Sequence, residues 1–132
     1  MTDAFWEGRV ALLACPSHVD GRGVLTPVTF ADHGFDVVRA FVVTAPEGTE
    51  RGGHGHRRGR QILMRVRGEI RVELVSAGQR ARVVLDAAMP ALLVEAGIWS
   101  RQAYAGPDAA LVVFCDTAYD PTDYFDAPEE AR

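Results

Sequence analysis

His54 and His56 lie one residue apart in the stretch "RGGHGHRRGRQ" (51–61). On a strand that spacing aims both imidazoles at one side, because strand side chains alternate between faces. Imidazole serves either as a transition-metal ligand or as a proton carrier near neutral pH. Two histidines alone leave a divalent metal short of ligands, so a metal site would need further donors. The neighbours are equally suggestive. Arg51 precedes the pair, Arg39 lies in the preceding apolar run, and Gly52, Gly53 and Gly55 let a ligand approach the backbone. Seven of the fourteen basic residues fall between Arg51 and Arg71, and the chain has no lysine. Such a cluster is either a solvated strand face or an anion site, for which the guanidinium fork suits phosphate.

The elements that must hold these residues are strands. "VALLA" (10–14), "GVLTPVTF" (23–30) and "DVVRAFVVT" (36–44) are short apolar runs bounded by Gly, Pro and Asp. "QILMRVR" (61–67) and "EIRVELV" (69–75) flank Gly68, and the second alternates, with Glu69, Arg71 and Glu73 out and Ile70, Val72 and Leu74 in. "ARVVL" (81–85), "ALLVE" (91–95), "WSRQAY" (99–104) and "AALVVFC" (109–115) complete the set, with turns expected at 76–78, 86–90 and 105–108. No long amphipathic helical stretch and no repeat appears. Many short strands with regular turn signals predict an all-β sandwich or barrel. The polar "DAPEEAR" (126–132) is expected to be a loose tail.

At 132 residues and 48% hydrophobic content, one domain with a real core is expected. A net charge of −4 argues against nucleic acid as a partner. Cys15 and Cys115 form neither a disulfide framework nor a metal pair and are expected to be buried thiols. No run approaches the roughly 18 apolar residues that span a membrane. "LLAC" (12–15) lacks the basic leader and long apolar core of a lipoprotein signal, so the expected location is the cytoplasm.

A β-barrel with an early His-x-His resembles the cupin superfamily, which has a double-stranded β-helix or jelly-roll fold. Its first motif runs His-x-His, Glu, Gly; this chain has His54, His56, Gln61, Gly68. Its second motif, Pro-x-Gly-x-x-His, corresponds to "EAGIWS" (95–100), which ends in Ser100. The carboxylate and third histidine of the usual metal set are thus replaced by Gln61, a weak neutral ligand, and Ser100, rarely a ligand for such metals. A cupin without its metal set has histidines suited to proton transfer.

Within that superfamily the chain resembles the nucleotide-sugar 3,4-ketoisomerases, the WxcM-like C-terminal domain family. The resemblance covers about residues 20–126 and rests on "DGRGVLT" (20–26), "FDVVRAF" (35–41), "RGGHGHRRGRQ" (51–61), "EAGIW" (95–99) and "YDPTDYF" (119–125). It implies a single metal-free, cofactor-free cupin domain over 1–132, forming a homodimer that exchanges N-terminal strands. It also implies isomerisation of dTDP-4-keto-6-deoxyglucose to a 3-keto sugar through an enediol, with His54 and His56 as acid and base. Arg22, Arg39, Arg51 and Arg101 are then expected around the substrate phosphates and sugar, with Phe41, Gln61 and Ser100 beside the sugar. Trp99 and Tyr104 are candidates to stack on the base. Phe41 stands where the family carries a tyrosine, and Ser100 where it carries a bulkier His or Arg. Two other classes therefore stay open: a repurposed epimerase, lyase or cyclase acting on another carbonyl substrate, and a non-catalytic binding barrel.

Overall fold

The computed structural model describes residues 4–132. Among these the chain is almost entirely strand: β1 Ala4–Phe5, β2 Val10–Leu13, β3 His18–Asp20, β4 Gly23–Leu25, β5 Arg39–Thr44, β6 Glu50–His56, β7 Gln61–Ser76, β8 Gln79–Leu85, β9 Ala91–Val94, β10 Trp99–Cys115 and β11 Tyr124–Phe125. Short 3-10 turns at Phe30–His33, Pro121–Asp123 and Pro128–Glu130 are the helical pieces of the described residues.

Two long strands organise the architecture. The start of β7, residues 61–64, pairs with β9 and residues 70–76 pair with β8, while β10 runs antiparallel to β7 along almost its whole length. Near its start β10 pairs with β6, and towards its end with β5. The strand order β1-β2-β9-β7-β10-β6-β11, with β5 on β10 and β8 on β7, curls into two facing leaves of an antiparallel jelly roll. The fold is the expected all-β cupin barrel.

The core between the leaves takes Leu63, Ile70, Val72 and Leu74 from β7, Val83 and Leu85 from β8, and Tyr104, Leu111, Val113 and Cys115 from β10. The alternation read around residues 69–74 holds, with Ile70, Val72 and Leu74 buried and Arg71 exposed. Burial of this size is the main stabilising contribution to such a domain, at roughly 25 cal/mol per Å² of apolar area. Both cysteines are free and buried.

Besides the strand expected over 23–30, which stops at Leu25, three expectations change. Residues 61–76 form one strand, because Gly68 (φ +75°) absorbs a bulge against Ala109, whose Cα lies 2.8 Å from where a Gly68 Cβ would sit. Likewise 105–108 is no turn between strands. Gly106 and Asp108, both at positive φ, let β10 continue through a break in register. The third change is at the C-terminus. Ala131 is buried with Val75, Trp99 and Phe125, and the Arg132 amide donates to the Gly97 carbonyl at 2.8 Å. Residues 127–132 are therefore docked, because backbone hydrogen bonds and one small apolar side chain hold a segment whose composition is polar. No described helix is long and apolar enough to cross a membrane.

Candidate active site

β6 carries both histidines, and its irregularity decides what joins them. His54 lies opposite Ser100 on β10, yet Arg51 lies opposite Gln102, so β6 spends one extra residue, a bulge at Gly52–Gly53. Both glycines adopt positive φ (+82° and +80°), and a Cβ on Gly52 would sit 2.7 Å from the Gln102 side-chain oxygen. The bulge reverses strand parity, which places Arg51 and His54, three residues apart, on one wall.

That wall bounds a cavity of ≈ 140 Å³ between the leaves. Arg51, His54, Gln61, Ser100, Gln102, Tyr104 and Tyr124 line its polar side. Phe41, Val43, Leu63, Leu111 and Val113 line the apolar side. His56 lies behind His54, only 7% exposed, with the two rings edge-on at 5.6 Å between centroids. The Tyr124 ring lies 5.0 Å from His54 and 4.4 Å from His56. It arrives there because the two-residue β11 pairs across β6, Tyr124 opposite His56. Asp123, buried one residue earlier, accepts from the Arg58 and Gly59 amides at 2.7 and 3.1 Å and so fixes the turn that leaves β6.

Burial lowers the pKa of His54, against Asp126 and a hydrogen bond to the Gly52 backbone. His56 goes further. Burial, helped by the neighbouring His54 and the Arg39 cation and opposed by Asp123, brings its pKa from 6.5 to about 4. Both imidazoles are therefore neutral near pH 7, and neutral imidazole is a base. Arg39 sits behind the cavity. Its Nη2 donates to Cys115 Sγ at 3.5 Å, and its guanidinium lies over the Tyr119 and Phe41 rings at 5.5 and 5.7 Å. Burial disfavours its charge, but contacts with Cys115 and with Tyr124 outweigh that and raise its pKa. Gln61 Nε2 also donates to Cys115 Sγ at 3.5 Å.

Of the expected site residues, His54, His56, Arg39, Phe41, Arg51, Gln61 and Ser100 come together. Three do not. Trp99 is 5% exposed in the cluster of Val75, Phe125 and Ala131, and its Nε1 donates to the Asp126 carbonyl at 2.9 Å. Arg101 lies over the Trp99 ring and reaches Glu73 at 3.2 Å and Glu50 at 3.5 Å. The reason is parity: Ser100, Gln102 and Tyr104 point into the cavity, so Trp99 and Arg101 point away. Arg22 projects from the β3–β4 hairpin with its side chain 91% exposed, paired to Asp20 at 2.6 Å. Tyr104 does line the cavity, but its ring is packed among Leu63, Leu111 and Val113 and has no face free for stacking. Tyr124 and Gln102 were not expected. Gln102 shares its parity with Ser100, and Tyr124 lies inside the stretch at 119–125. No three His, Cys, Asp or Glu side chains converge on a metal-sized site among the described residues.

The roll and its histidine-lined cavity define a cupin-type barrel with proton-transfer groups inside. Residues 9–130 match the family described as "FdtA: WxcM-like, C-terminal". The chain belongs to that family. It is 28% identical over 108 residues to a TDP-4-oxo-6-deoxy-alpha-D-glucose-3,4-oxoisomerase of Aneurinibacillus thermoaerophilus, covering 80% of this chain and 78% of that one. Among solved structures, QdtA, a sugar 3,4-ketoisomerase from Thermoanaerobacterium thermosaccharolyticum in complex with TDP, superposes with a TM-score of 0.82. Its identity is 26%, covering 90% of this chain and 88% of that one. A 3,4-ketoisomerase from Helicobacter canadensis, at 20% identity, 92% coverage of both chains and a TM-score of 0.82, shares the fold.

Proposed function

We propose that this chain is a metal-independent isomerase that converts dTDP-4-keto-6-deoxyglucose to a dTDP-3-keto-6-deoxyhexose through an enediol. What carries the proposal is the neutral His54 imidazole on the wall of a cavity the size of one sugar ring, with the neutral His56 imidazole packed edge-on behind it. At ≈ 140 Å³ the cavity is well below the ≈ 300–1,000 Å³ of pockets that enclose whole drug-sized ligands. The sugar fits and the nucleotide stays at the rim, where Arg51 is available to its phosphates. The apolar wall of Phe41, Leu63, Leu111 and Val113 suits the methyl group of a 6-deoxy sugar. The relatives named above are 3,4-keto- or oxoisomerases, which agrees.

In the proposed reaction a neutral imidazole of the His54–His56 pair takes the proton from C3. The electron pair of that C–H bond forms the C3–C4 double bond, and the C4 carbonyl oxygen takes up the negative charge. The O3 proton passes to O4, so the enediol stage carries the charge on O3. The carbonyl then forms at C3 while the C3–C4 double bond takes the proton from the imidazolium at C4, which returns the imidazole to its neutral form. Gln61 lines the cavity as a donor to the transient oxyanion. Fixing the sugar against a rigid wall lowers the barrier by holding the reacting geometry.

The same proposal includes a homodimer working in the cytoplasm. Val19, Val24 and Leu25 of the β3–β4 hairpin and Val38 and Val42 beside and along β5 are exposed, apolar surface that a second copy would cover. A second copy covering it would also take up the hairpin that holds Arg22 away from its own cavity. A thermal-shift series with dTDP, UDP and GDP tests the ligand class. Stabilisation by dTDP above the other two is expected from mass action, and equal or absent shifts contradict it.

A further inference from the structure

Tyr104 holds the most unusual polar group in the cavity. The residue is 1% exposed, and its hydroxyl has no hydrogen-bond partner among the described residues. Its backbone is fully engaged, the amide donating to the Thr49 carbonyl at 2.9 Å and the carbonyl accepting from Gly48 at 2.7 Å. Its ring is wedged in the main core with Leu63, Leu111 and Val113, so the hydroxyl cannot swing away to find a partner. A buried hydroxyl left unpaired costs about 1–3 kcal/mol, and tyrosine in a core ordinarily pairs its O–H. Tyr104 lines the cavity together with Arg51, Ser100 and Gln102, and the Arg51 cation is close enough to act on its hydroxyl.

We infer that Tyr104 is a substrate-binding residue whose hydroxyl donates a hydrogen bond to an oxygen of the sugar in the cavity, making the pocket selective for a sugar that carries an oxygen at that position. This rests on the proposed function and deepens it. The Tyr104 hydroxyl remains a donor across the working pH range, since burial raises its pKa and only Arg51 opposes that. Fixed before the ligand arrives, it needs no reorganisation to meet the sugar. A sugar lacking the matching oxygen would leave the hydroxyl unpaired, which is how a polar site rejects a deoxy analogue.

Tyr104→Phe removes the hydroxyl and keeps the ring. An anchor for substrate and a structural hydroxyl then differ in two measurements. With no protein partner to lose, the variant should melt at or above the wild-type temperature. Its kcat/KM for dTDP-4-keto-6-deoxyglucose should fall about tenfold, the value of one hydrogen bond, while its affinity for dTDP alone stays unchanged. A variant that melts several degrees lower, or fails to fold, shows that the hydroxyl is bonded within the protein and overturns the inference. So does a variant with wild-type kcat/KM, or one that loses dTDP affinity equally. A wild type that neither binds nor turns over the nucleotide sugar defeats the proposed function itself. A wild type that turns it over no faster than Tyr104→Phe defeats the anchor alone.

Discussion

Acid should destabilise this protein through His56 in particular. The imidazole pKa is about 4 in the folded chain and 6.5 as an ordinary value, so between those limits the unfolded chain binds the extra proton. Stability is thus fully present above about pH 6.5 and is lost as the pH falls toward 4. At about 1.4 kcal/mol per pKa unit, the whole window is worth about 3 kcal/mol. That is a large share of the 5–15 kcal/mol typical of a domain. His56→Asn removes the titration. Urea unfolding of both proteins at about pH 7 and about pH 4.5 isolates the effect, because the fixed cost of the substitution cancels in the pH difference. The wild type should lose about 2–3 kcal/mol more than the variant on acidification. Equal losses in the two proteins would refute the account of a buried, unprotonated His56.

Gly52→Ala should cost about 1–3 kcal/mol, since alanine at φ +82° is strained and its Cβ would press on the Gln102 side chain. An unchanged melting temperature would show that the bulge is not needed. Asp123→Ala should unlatch the turn after β6, whose Arg58 and Gly59 amides lose their shared acceptor. Activity should fall along with melting temperature, and a drop in neither would contradict that role. A chelator should leave activity unchanged, and elemental analysis showing about one zinc, iron or manganese per chain would overturn the metal-free mechanism. Light scattering at micromolar concentration should report a dimer; a monomer would remove that part of the proposal and leave the fold.

The strands were legible because period-two patterning is local: Ile70, Val72 and Leu74 announce a buried face without any knowledge of their partners. The same rule, applied strictly, separates Ser100 from Trp99 and Arg101, since adjacent strand residues cannot share a cavity. Arg51 escapes the rule through the bulge. The three glycines before His56 hint at irregular backbone, but pairing with Ser100 and Gln102 sets where parity reverses. Tyr124 was harder still. It reaches the histidines by a two-residue strand that pairs far across the sequence, and nothing in its own surroundings encodes that partner. Composition misled at the C-terminus, where charge suggested a loose end and backbone bonds to Gly97 and Ala77 hold it down. The depressed pKa of His56 depends on Arg39, His54 and enclosing side chains from separate strands, so it exists only in the folded barrel.

The measurement that bears most directly on the proposed chemistry is proton exchange at the sugar. The protein is incubated with dTDP-4-keto-6-deoxyglucose in heavy water and the ring is followed by NMR. Deuterium entering C3 or C4 with formation of a 3-keto product is expected, and His54→Asn and His56→Asn should each slow it by roughly 10²-fold or more. Exchange no faster than in buffer while dTDP still binds would make the barrel a binding protein, and exchange that survives both substitutions would take the proton transfer away from the histidines.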